Sequence, residues 1–170
     1  STSGSADISN NVIAGYQKNG VTVSNVGSSA TVANNVITGA GATTIIAQNG
    51  VQFSGGATGD INGNTISNHS YSPGSYTSTG ILLYVADANT YGNTMSENQS
   101  GIYHIEGSGV HEANIMNVST AGTLSPYFYG FVVDAPPPGL NPVPFEDESL
   151  APSAAASANS LMSFVAVQDV

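Results

Sequence analysis

Cysteine is absent from this chain, which excludes a disulfide scaffold and any thiolate metal site. Tryptophan and arginine are absent too, and Lys18 is the only basic residue against eleven Asp and Glu. A net charge of −10 cannot neutralise phosphates, so nucleic acid and anionic membrane are excluded as expected partners. The same negative field repels acidic polysaccharides unless a divalent cation intervenes. Charged residues are only 7% of the chain, against about 25% in an ordinary globular protein. Asn, Ser, Thr and Gly take the polar positions instead, as on extracellular β-proteins. No apolar run approaches the roughly 18 residues of a membrane span, so membrane insertion is not expected. The sequence opens at Ser1 with neither Met nor an apolar leader, and reads as a processed product or an excised fragment.

What the sequence does contain is a repeat. Five phrases align: Asn19-Gly20-Val21-Thr22-Val23, Asn49-Gly50-Val51-Gln52-Phe53, Thr79-Gly80-Ile81-Leu82-Leu83, Ser100-Gly101-Ile102-Tyr103-His104 and Tyr129-Gly130-Phe131-Val132-Val133. A second phrase alternates with them: Asn11-Val12-Ile13, Asn35-Val36-Ile37, Asn64-Thr65-Ile66, Asn93-Thr94-Met95 and Asn114-Ile115-Met116. From each Gly to the next Asn the count is 15, 14, 13 and 13 residues, whereas from Asn to Gly it is 9, 15, 16, 8 and 16. One arc is constant and the other carries insertions. That is what stacked repeats predict, because a loop leaves the stack at a turn without disturbing its neighbours.

Alternation within the Gly phrases points Val21/Val23, Val51/Phe53, Ile81/Leu83, Ile102/His104 and Phe131/Val133 inward. A second inward strand runs through Ile8, Val32 and Ile61, and a third through Ile13, Ile37, Ile66, Met95 and Met116. The row Asn11, Asn35, Asn64, Asn93 and Asn114 reads as a structural Asn ladder, amide bonded to amide from rung to rung.

In these Gly and Asn phrases the chain resembles the right-handed parallel β-helix proteins of the pectate-lyase-like superfamily, over residues 6 to 135. The resemblance implies an all-β, right-handed parallel β-helix, or β-solenoid, of about five rungs. It also implies that the insertions after Asn35, Asn64 and Asn114 overhang the first sheet, where related enzymes bind saccharides. Residues 1–135 form the expected β-helix and 136–170 a Pro-rich tail, with Pro136, Pro137, Pro138, Pro142 and Pro144 forbidding regular rungs. The apolar end, Leu161 to Val167, reads as a strand. It could cap the last rung, lie along the flank or pair with a neighbouring molecule.

Chemistry is sparse. β-Elimination of uronates, as the resemblance implies it, uses a basic residue, often Arg, and Lys18 alone reads as a solvated surface residue. A glycosidase needs two carboxyl groups about 5 to 9.5 Å apart. Asp7 and Asp60 share an outward slot two rungs apart, about 10 Å, with Thr31 between them. Asp87, Glu97, Glu106, Glu112 and Asp134 fall at other offsets. His104 reads as a buried, hydrogen-bonded histidine, with His69 and His111 elsewhere on the rung, so neither a metal site nor a cofactor is expected. The run from Gly55 to Asp60 is a single Gly/Asp copy, where calcium binding needs tandem ones. Asn68, Asn98 and Asn117 begin glycosylation sequons, which imply surface exposure.

The outward slots of the Gly strands turn apolar along the chain. One row reads Thr22, Gln52, Leu82, Tyr103, Val132 and the other Ser24, Ser54, Tyr84, Ile105, Asp134. With His69, Tyr71, Tyr76, Tyr127, Phe128 and Tyr129 in the loops beside them, these residues read either as an exposed aromatic face or as one covered by those loops or by the strand near Phe164. The expected ligand-binding set is Leu82, Tyr84, Tyr103, Ile105, Val132, Tyr71, Tyr76, Tyr127 and Tyr129. Three functions follow as expectations. The first is a non-catalytic module, secreted or at the cell surface, binding polysaccharide, glycan or another protein through that face. The second is a self-assembling structural subunit, a homo-oligomer joined through open solenoid ends or the tail. The third is a polysaccharide-active lyase or hydrolase, which the resemblance alone supports and the residues do not.

Overall fold

The computed structural model describes residues 4–72, 76–118, 127–128 and 166–167. Its described residues form strands and turns without a helix, in three sheets whose pairings are all parallel. Sheet A holds β1 (Ser5–Ser9), β4 (Ser29–Ala33), β7 (Thr58–Asn62), β10 (Asp87–Tyr91) and β13 (His111–Glu112). Sheet B holds β2 (Val12–Ala14), β5 (Val36–Thr43), β8 (Thr65–Tyr71), β11 (Thr94–Asn98) and β14 (Ile115–Val118). Sheet C holds β3 (Asn19–Ser24), β6 (Asn49–Ser54), β9 (Thr79–Tyr84), β12 (Ser100–Ile105) and β15 (Tyr127–Phe128), with β16 (Ala166–Val167) added beside β3. The chain visits A, B and C in turn, and each circuit, here called a rung, pairs with the next. This all-β arrangement of three parallel sheets is compatible with a parallel β-helix.

The turn between sheets A and B explains the Asn phrase. The residue before each ladder Asn is left-handed: Asn10, Asn34, Gly63, Gly92 and Ala113 have φ of 60, 55, 63, 59 and 53°. Gly and Asn adopt that conformation at little cost, whereas Ala113 does so against its preference.

The core follows from strand periodicity. Val21, Val23, Val51, Phe53, Ile81, Leu83 and Ile102 from sheet C meet Ile8, Val32 and Ile61 from sheet A and Ile37, Ile66 and Met95 from sheet B, all buried. Ile13, Ile37, Ile66, Met95 and Met116 stand in one column across sheet B. Only its two ends, Ile13 and Met116, stay partly exposed. The Gly phrase follows from the same packing. A Cβ on Gly50 would lie 2.6 Å from both Gly80 O and Ile66 Cγ2, so this corner has no room for a side chain.

At the last rung the register differs from the expectation. Tyr127 and Phe128, strong strand formers directly after Pro126, pair opposite Ile102 and Tyr103, in place of Phe131 and Val132. Tyr129, Val132 and Asp134 lie outside the described residues, as does most of the 136–170 tail.

Candidate functional site

The Asn ladder is a hydrogen-bonded column with a direction. Asn11 donates from N and Nδ2 to Oδ1 of Asn35 at 3.0 and 3.0 Å, and Asn35 to Asn64 at 2.9 and 2.9 Å. Asn64 donates likewise to Asn93 at 3.0 and 2.9 Å, and Asn93 to Asn114 at 3.1 and 2.8 Å. The spare amide hydrogens of Asn35, Asn64 and Asn93 go to the Ile8, Val32 and Ile61 carbonyls. Asn35, Asn64 and Asn93 are buried with both amide atoms engaged.

A second polar column fills the corner between sheets B and C. Asn98 Nδ2 donates to Ile66 O (2.9 Å), which turns its Oδ1 toward His69 Nδ1 (2.6 Å) and places the ring proton there. Nε2 is then the lone pair that accepts the Tyr16 hydroxyl at 2.5 Å. Gly39 makes this contact possible, because a Cβ there would meet His69 Cδ2 at 2.8 Å. Burial lowers the His69 pKa to about 4, against a smaller raising effect of Asn98, and raises that of Tyr16. A base oriented by an amide and facing a hydroxyl is the geometry of an activated nucleophile. Here all three groups are shut inside the core, so the arrangement ties rungs one, three and four together.

Near the other end the core turns polar. The inner slot of sheet A reads Ile8, Val32, Ile61, Thr90 and His111, and that of sheet C ends at His104. His104 Nε2 lies 3.1 Å from Glu106 O and must donate, so its Nδ1 accepts from His111 Nε2 at 2.9 Å. His111 Nδ1 then accepts from Thr90 Oγ1 (3.0 Å), which accepts from Asn114 Nδ2 (3.0 Å). Burial holds both pKa values down, that of His111 to about 4, where the neighbouring His104 adds to the effect. His104 is buried and bonded, and His111 is its partner, while His69 is apart. Continuing the Ile8, Val32, Ile61 column by two more strands was the signal for Thr90 and His111. Among the described residues no group of three or more His, Cys, Asp or Glu is placed to hold a metal ion.

The outer face of sheet C differs from the exposed aromatic strip expected. Leu82, Tyr103 and Ile105 are 0, 1 and 5% exposed and form a second apolar cluster, with Tyr84 half-buried at its edge. Burial pushes the Tyr103 pKa up to about 12. On the earlier rungs the same face is a buried polar network. Asn19 Nδ2 donates to Thr22 Oγ1 and Gln52 Oε1, Asn49 Nδ2 to Asn19 Oδ1, Thr79 Oγ1 to Asn49 Oδ1 and Gln52 Nε2 to Ser54 Oγ. Of the surrounding tyrosines, Tyr71 is buried, Tyr76 is half-buried, and only the backbone of Tyr127 is described.

Two further expectations are corrected. Lys18 is 3% exposed and donates from Nζ to Ala47 O. The insertion after β5 folds back over the first rung, where Gln48 Nε2 holds the Tyr16 and Gln17 carbonyls at 2.8 and 3.1 Å. Asn98, expected at the surface as a sequon, is 2% exposed because it orients His69. Asp7, Thr31 and Asp60 do share one column of sheet A, and Asp60 accepts from Asn89 Nδ2 at 3.0 Å. Asp87 accepts from Ser108 Oγ and N–H, and these bonds lower its pKa.

No protein-family model, curated protein or solved structure matches the chain.

Proposed function

We propose that the chain is a right-handed parallel β-helix of the pectate-lyase-like architecture, acting as a non-catalytic structural module of a secreted or cell-surface protein. The observation that supports this reading is where its reactive side chains stand. Tyr16 with His69, and His104 with half-buried His111, are bonded in separate pairs between rungs, and the Asn ladder links the rungs likewise. Groups engaged in this way hold layers in register, which supports a structural role. Incubation with uronate polymers and neutral glycans should yield no new reducing ends and no unsaturated product. Turnover abolished by substituting a carboxylate such as Asp60 would overturn the reading.

A second reading, a glycan- or protein-binding module, is favoured by the apolar cluster of Leu82, Tyr103, Ile105 and Tyr84 on the side of sheet C facing away from the core. Because most of this face is covered, contact would begin at half-exposed Tyr84. Binding on a glycan array or in a pull-down that is unchanged by Tyr84→Ala would remove it.

A further inference from the structure

The two ends of the stack are complementary to each other. Among the described residues Asn11 Oδ1 receives no hydrogen bond, because the donor in every ladder step belongs to the preceding rung. Asn114 N–H, the matching donor at the far end, likewise has no acceptor among the described residues, and its Nδ2 turns back to Thr90 O and Oγ1. No strand among the described residues pairs with the outer edges of β1 and β2 at one end, or of β13 and β14 at the other. Two residues beyond each terminal Asn stand Ile13 and Met116, which with Ala6 are the half-open parts of the core.

The outer surface of sheet B shows the same pattern independently. Its column reads Val12, Val36, Thr65, Thr94, Ile115, apolar at the ends and polar in the middle. Val12 is 81% and Ile115 59% exposed. Continuing the register across a junction sets Ile115 against Val12, Met116 against Ile13 and Asn114 against Asn11. It also sets Glu112 against Ser9 and leaves Asp7 facing no acidic residue, so like charges do not oppose one another.

We propose that a second copy of this chain docks head to tail, its Asn114–Met116 edge adding in parallel to the Asn11–Ile13 edge. This deepens the structural reading and rests on it. A heterologous contact of this kind does not close, so copies add into an open filament. β16 occupies the place beside β3 that the neighbour's β15 would take. The chain's own C-terminal strand and the next copy therefore compete for one edge, and β16 limits growth.

Sedimentation velocity on the full-length chain tests this. Ala166→Pro with Val167→Pro removes the β16 amide donors and should lower the concentration at which assemblies form by at least tenfold. In that background Val12→Asp, at an exposed position, should abolish assembly, and adding Ile115→Lys should restore it through a pair formed only between copies. Assembly no greater than wild type in the proline variant overturns the proposal, as does assembly indifferent to Val12→Asp. Circular dichroism showing retained strand structure confirms that each variant is folded. Glycan turnover would sink the structural reading, whereas a persistent monomer sinks this junction alone.

Discussion

Asn64 accepts from the amide and side chain of Asn35 and donates to Asn93 Oδ1 and Val32 O. Asn64→Ala strands two donors and an acceptor in a buried corner, at a cost of about 2 to 4 kcal/mol. Asn11→Ala, at the exposed end of the same column, should cost less than about 1 kcal/mol. Urea unfolding of both variants checks the contrast, and equal losses would refute the ladder as the source. His69 supplies the pH dependence at this scale. Its folded pKa of about 4 lies below the ordinary histidine value of about 6.5, so between these values the unfolded chain binds more protons. Stability is full above pH 6.5 and falls as pH drops toward 4, with His69 contributing about 3 kcal/mol to the loss. His104 and His111 act in the same direction. His69→Gln should flatten the profile of urea midpoint against pH, and an unchanged slope would contradict this origin.

At the scale of the element, the Gly phrase marks where sheet B's corner meets sheet C. Gly50→Ala drives a Cβ into Gly80 O, Ile66 and His69, and should cost about 2 kcal/mol or more. Gly92 has open space around its missing Cβ and only φ +59° to satisfy, so Gly92→Ala should cost about 1 kcal/mol. Thermal unfolding separates the two, and the opposite order would mean that turn strain outweighs packing. These elements were legible in the sequence because Gly and Asn are imposed by local geometry, a missing Cβ and a left-handed turn, and so recur at fixed slots. Thr90 and His111 were harder to read, since they continue an isoleucine column in polar form. Tyr16, His69 and Asn98 come from rungs one, three and four, bridged across Gly39, and no spacing rule announces that. The burial of Leu82 and Tyr103 was legible only as one of two alternatives, because alternation tells which face a side chain takes, not what lies on that face.

For the whole molecule, parallel stacking means that each rung contacts mainly its neighbours, so stability is built rung on rung. Ile66 is fully buried between Ile37 and Met95, whereas among the described residues Ile13 has a column neighbour on one side only. Ile66→Ala should therefore cost about 3 to 4 kcal/mol and Ile13→Ala about 1 to 2. The same one-sidedness governs opening without mutation. Among the described residues β1, β2, β13 and β14 are edges, and His111 brings a polar, acid-sensitive group to the far end. Amide hydrogen exchange should show strongest protection in β6 to β9 and weaker protection toward both ends, with the β13–β14 end loosening first below pH 5. Uniform protection across all rungs would mean that the stack opens only as a single unit, and the polar links between rungs would then carry more of the stability than their local bonds imply.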